Sequence, residues 1–95
     1  IYLANRGVRF DVRGDGNYSL YVPTANVRDS GIFQAPFKAA AQWQTVSIEF
    51  NTLRQLNARA PVPWTGADLL MLMFEAARPA GSFAWLELDN VQFYR

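Results

Sequence analysis

Apolar and polar residues alternate with a period of two along much of this chain. Val8, Phe10 and Val12 alternate with Arg9, Asp11 and Arg13, and Tyr18, Leu20 and Val22 alternate with Ser19 and Tyr21. Further on, Val46, Ile48 and Phe50 alternate with Thr45, Ser47 and Glu49. Successive side chains of a strand point to opposite faces, so each stretch predicts a strand with one buried face. Ile32–Phe37 is an apolar, β-rich run in which Pro36 marks an edge or a bulge. Leu69–Phe74 is apolar on both faces, as a central strand would be. Ser82–Tyr94 predicts a long final strand. In it Ala84, Leu86 and Leu88 share one parity, while Val91 and Phe93 share the other. A bulge near Asp89-Asn90 would bring all five to one face. Pro61, Pro63 and Gly66 sit in a long connection between Thr52 and Asp68, with one helical turn expected at Leu53–Leu56.

The stretch Gly14-Asp15-Gly16 reads as the turn of a hairpin. With a two-residue turn at Asp15-Gly16, Val12 would oppose Ser19, and apolar would meet polar on every rung. With a three-residue loop Gly14–Gly16, Val12 pairs with Tyr18, Phe10 with Leu20 and Val8 with Val22. One face is then wholly apolar, which specifies register. Such loops use a positive-φ residue where Gly16 stands. A phosphate cradle is the weaker reading, because no helix N-terminus follows. Adhesion through Arg13-Gly14-Asp15 is a short-motif match and ranks below the turn.

That register sets out a candidate binding face. Arg9, Asp11, Ser19 and Tyr21 share the polar side, Trp85 and Glu87 join by parity, and Gln34 joins them. Aromatic rings beside arginine, carboxylate and amide groups suit a sugar, since ring faces stack and hydroxyls pair with donors and acceptors. An ordinary sheet surface with Tyr21 against Arg9 accounts for the same residues. Trp43 is expected to close an open end of the core. Trp64 is either a core plug or a stacking platform, and Met71 and Met73 read as packing. The expected core comprises Val8, Phe10, Val12, Tyr18, Leu20 and Val22, then Phe37, Val46, Ile48, Phe50, Leu70, Leu72 and Phe74, and finally Leu86, Leu88, Val91 and Phe93.

Composition narrows the chemistry. The 95 residues include no cysteine and no histidine, which removes disulfides, thiolate and imidazole catalysis and ordinary zinc sites. Nine basic against eight acidic residues give a net charge of +1, with no basic stripe for nucleic acid. Leu69–Phe74 is the longest apolar run, far short of the roughly 20 residues of a membrane span. Glu75 and Glu87 lie on strands that could be neighbours and so could face each other across a sugar, but nothing marks them as catalytic. No catalytic or metal residues and no cofactor are therefore expected. Asp89 reads as a partner for backbone donors, because a lone carboxylate is too little for structural calcium. The chain begins at Ile1 without a signal segment and is expected to be one domain, residues 1–95, excised from a longer polypeptide.

The order of motifs carries a resemblance. GVRFDVRGDGNYSLYV (7–22) is followed by FQAPF (33–37), WQTVSIEF (43–50) and AGSFAWLELDNVQF (80–93). The series resembles the galactose-binding-like β-sandwich shared by two groups. One is the complex I intermediate-associated protein family, and the other comprises carbohydrate-binding modules such as those of family eleven. The resemblance spans nearly the whole chain and implies an all-β, antiparallel jelly-roll sandwich. Domains of this type carry several strands before the segment matching Gly7, whereas only six residues precede it here. A truncated sandwich would leave an edge for another chain or a second copy to cover.

Two functions follow as expectations. The first is a non-catalytic module that binds a glucan-like polysaccharide through Arg9, Asp11, Tyr21, Gln34, Trp85 and Glu87. It would be secreted or periplasmic and appended to a glycoside hydrolase. The second is a protein-interaction or assembly-factor domain. Neither involves nucleic acid or a membrane span.

Overall fold

The computed structural model describes residues 5–95. The strands are β1 (Gly7–Gly14), β2 (Gly16–Val22), β3 (Phe33–Ala39), β4 (Gln44–Glu49), β5 (Arg54–Gln55), β6 (Met73–Ala76) and β7 (Leu86–Tyr94). They form two sheets, ordered β4-β1-β7 and β5-β3-β2-β6, and every neighbouring pair is antiparallel. The fold is a β-sandwich, as the alternation predicts.

The hairpin is not there. β1 and β2 belong to different sheets, and the chain turns from one to the other at Asp15. Val8, Phe10 and Val12 are buried, as are Tyr18, Leu20 and Val22, but the two triplets line opposite walls of one core. Alternation specifies which side chains are buried; it does not specify which backbone they pair with. β1 finds better partners in β4 and β7, where Phe10 opposes Val46, Val8 opposes Ile48 and Phe93, and Val12 opposes Leu88. The corner is held by the Gly14 N–H donating to the Ala40 carbonyl (2.7 Å) and the Asp15 N–H donating to the Trp85 carbonyl (3.1 Å). Gly16 has φ +128°, a backbone state that only glycine adopts readily.

Phe10 is the centre of the core. Its ring meets Phe37 and Phe74 of the facing sheet edge-on, each at 5.2 Å between centroids. The predicted bulge is present. The β1–β7 register slips between Arg9 and Asp11, and Asn90 takes φ +52°. Leu88 and Phe93 thereby reach the same face. Asp89 accepts the Asn90 backbone N–H at 2.8 Å, the structural role expected of it.

Other expectations change. Leu69–Phe74 is not a central strand: regular pairing begins only at Met73, and β6 is an edge. Leu69 bridges Thr24 and packs on the core, whereas Leu70 is 60% exposed. On β7, Val91 and Phe93 remain 44% and 38% exposed, so the core side of that edge strand is only partly covered. The helical turn is Phe50–Thr52, three residues earlier than the expected Leu53–Leu56, because Leu53 is drawn into the core and the chain straightens there. Pro36 lies on β3 beyond its contact with β5, which pairs only with Phe33 and Gln34, so no ladder bond needs its missing N–H. Trp64 packs on the core, its ring 5.3 Å from Phe33 and 4.8 Å from Phe50, and stays partly exposed.

Candidate functional site

Because β1 and β2 lie in different sheets, the polar residues of the two strands lie on opposite outer surfaces. Arg9, Asp11 and Arg13 occupy the middle of the β4-β1-β7 surface, with Trp85 and Glu87 beside Arg13. Tyr21 and Gln34 oppose each other on the β5-β3-β2-β6 surface, next to Met73. The six candidate binding residues therefore do not form one face. Arg9, Asp11, Trp85 and Glu87 stay together; Tyr21 and Gln34 are on the far side of the sandwich. Glu75 opposes Ser19 there too, so Glu75 and Glu87 cannot flank one substrate.

Arg13 organises the first surface. Its Nε and Nη2 donate to the two carboxylate oxygens of Glu87 at 3.0 and 3.1 Å, the fork geometry that makes arginine–carboxylate pairs directional. The Trp85 indole N–H donates to the same carboxylate at 2.7 Å. The guanidinium lies 4.9 Å from the Trp43 ring centroid and 5.9 Å from that of Trp85. Two tryptophans thus bracket one guanidinium. They are 46% and 40% exposed, so their planes are offered to solvent. Trp43 does not close the core as expected. It shares the outward parity of Thr45, Ser47 and Glu49, and that parity was the signal that placed it on this surface.

Farther along β1, Arg9 donates to the Ser47 hydroxyl (3.0 Å) and lies over the Tyr94 ring (4.5 Å). Asp11 accepts from the Thr45 hydroxyl (2.7 Å) and the Asn90 amide (2.8 Å). These bonds hold the Asp11 carboxyl below the ordinary range, Asn90 contributing most. Glu87 is lowered as well, by Arg13 first and then Trp85. Both carboxylates are held in the ionised form, the opposite of what a general acid requires.

Asp15 closes the adhesion question. Tyr18 donates its hydroxyl to Asp15 Oδ1 at 2.6 Å, and Arg78 donates to Oδ2 at 3.1 Å. Arg13 is committed to Glu87 and Asp15 to Tyr18 and Arg78, so the tripeptide presents neither charge freely. The Tyr18 hydrogen bond first, then Arg78, lowers the Asp15 pKa from 3.8 to about 2. This pair stabilises the fold fully above pH 3.8 and loses its effect as pH falls towards about 2. In acid titration, wild type should therefore lose stability more steeply across that window than Asp15→Asn, monitored by urea midpoint at each pH. Parallel slopes would refute the assignment.

Arg78 also donates to the Phe83 carbonyl at 2.9 Å, which anchors the loop before β7. The Phe83 side chain is 96% exposed, two residues from Trp85. Sequence reasoning missed Phe83, because a strand starting at Ser82 would have made it one more alternating residue. Among the described residues, no three His, Cys, Asp or Glu side chains converge as metal ligands.

Residues 3–65 match the family described as Complex I intermediate-associated protein 30 (CIA30). The chain belongs to this family. The CIA30 match runs from before β1 through β5 into the loop that carries Trp64; β6 and β7 lie beyond it. No curated protein and no solved structure matches the chain. The resemblance to family-eleven carbohydrate-binding modules gains no support from these comparisons.

Proposed function

We propose that this CIA30 domain is a non-catalytic docking module that engages a protein partner during assembly of a larger complex. The observation that carries this reading is the aromatic surface at one end of β1. Phe83 stands almost fully in solvent on an anchored loop, two residues before Trp85, which with Trp43 brackets Arg13. Exposed aromatic clusters on a soluble fold mark interaction surfaces, and tryptophan and arginine are the residues most enriched at binding hot spots. The polar groups around them are already paired with one another, so little desolvated charge would be left unmatched in a complex. Family membership supports the same reading: the family's description names association with a complex I intermediate.

The test is retention of purified complex I assembly intermediates on the immobilised domain. Wild type should retain them, and Trp43→Ala combined with Phe83→Ala should weaken retention by about 30-fold, the loss of a hot spot. Both side chains are exposed enough for the variant to stay folded. No retention by wild type would remove the function; equal retention by the variant would remove the site.

One observation favours a second reading. Trp43 and Trp85 beside the Arg13–Glu87 fork are also the groups that a sugar ring uses. Titration of soluble β-glucan against wild type and Trp43→Ala decides it, since glucan binding lost with Trp43 would replace the docking assignment.

A further inference from the structure

The opposite end of the sandwich holds a cleft of about 410 Å³, within the range of small-ligand sites. β1 runs from this end, at Gly7, to the aromatic surface near Gly14, about 23 Å away at the usual rise per strand residue. Asn5, Arg6, Glu49, Asn51, Trp64 and Thr65 contribute to its walls.

The cleft differs from the outer surface in one chemical respect. On the β4-β1-β7 surface, Arg9, Asp11, Arg13 and Glu87 all have partners. At the cleft, the backbone is held by the Phe50 N–H donating to the Arg6 carbonyl (2.8 Å) and by the Thr52 hydroxyl donating to the Glu49 carbonyl (2.7 Å). Among the described residues, the Arg6 guanidinium, the Glu49 carboxylate, the Asn5 and Asn51 amides and the Trp64 indole N–H form no hydrogen bond. Arg6 and Glu49 do not pair although they are close in the β1–β4 ladder. One wall is fixed by packing. Trp64 is wedged between Phe33 and Phe50, and the Thr65 hydroxyl is 3.3 Å from Asp68 Oδ1. Solvent-facing donors and acceptors beside a packed aromatic wall are groups that a polar ligand can engage in place of water.

We infer that this cleft binds a small, neutral, polyhydroxylated ligand, of the mono- or disaccharide class. One cation and one anion that do not neutralise each other favour neither a simple anion nor a simple cation. Two amides supply both donors and acceptors. Trp64 supplies an aromatic wall for an apolar ring face. This site is separate from the aromatic docking surface.

The test is amide and indole NMR of the full chain titrated with neutral monosaccharides and their methyl glycosides, with glycine as the zwitterionic alternative. Sugars should cause saturable shifts at Arg6, Glu49, Asn51, Gly66 and the Trp64 indole, with dissociation constants on the order of 1 mM. A methyl glycoside that binds as well as the free sugar would indicate a glycan terminus; loss on methylation would indicate free sugar. Glu49→Gln and Asn51→Ala, both exposed positions, should each weaken binding about fivefold while leaving the Phe10 region unshifted. Trp43→Ala with Phe83→Ala should leave it intact, which separates this test from that of the docking surface. Absence of shifts with every sugar at about 50 mM would overturn the inference. So would shifts with glycine alone, or shifts confined to Trp43 and Trp85.

Discussion

Phe10→Ala is expected to bring the domain close to its unfolding threshold at room temperature. Phe10 is fully buried, on the central strand of its sheet, and it packs edge-on against both Phe37 and Phe74 of the other. Truncation removes the ring's transfer energy and leaves a cavity where the Phe10, Phe37 and Phe74 rings meet. Such losses run to about 3–5 kcal/mol. A domain of this size has roughly 5–15 kcal/mol in total, and the thinly covered β7 side argues for the lower part of that range. Urea unfolding by tryptophan fluorescence measures the change. A loss below about 1 kcal/mol would mean that the core closes around the gap, and that Phe10 is not its centre.

Gly14→Ala is expected to have the second-largest effect. A Cβ at Gly14 would stand 2.4 Å from the Trp85 carbonyl oxygen and 3.0 Å from the Ala39 Cβ. The oxygen belongs to backbone that accepts the Asp15 N–H and leads into β7, so it cannot swing aside as a side chain would. The corner that carries the chain between sheets must open or β7 must shift, at a cost of about 2–3 kcal/mol. Gly81→Ala is the comparison. Its φ of +85° disfavours a side chain, but nothing lies within 4 Å of the added atom. Its cost should be near 1 kcal/mol. In thermal melts Gly14→Ala should fall well below Gly81→Ala. The reverse order would show that the close approach at the corner is relieved by a small backbone shift.

The two substitutions probe different kinds of information. Phe10 is legible in the sequence, since strict alternation around it places it in the interior whatever its neighbours are. Gly14 is not legible in that way. Between two glycines it reads as part of a hairpin loop, and only the sandwich shows that its missing side chain admits a carbonyl from β7. The same holds for the candidate sites. Arg9, Asp11, Trp85 and Glu87 share a surface because β1 and β7 are ladder neighbours; their outward parity is legible in the sequence, and the pairing is not. Tyr21 and Gln34 were grouped with them only through an assumed β1–β2 pairing. When β2 moved to the other sheet, their outward direction became the opposite side of the molecule. Trp43 shows the converse: it is a lone aromatic in sequence, and it gains meaning from Arg13, thirty positions earlier in the chain.

The sequence by itself determined the inward and outward sense of almost every residue in the longer strands and the bulge in the last of them, and it narrowed the family to two groups. Each follows from local alternation or from motif order. Tertiary structure decided which strands are neighbours, which edge is left partly bare, and which polar groups find partners. Alternation is a property of one strand, whereas pairing is a competition among all of them. β1 is matched better by β4 and β7 than by the strand that follows it, and no stretch of sequence read alone contains that comparison.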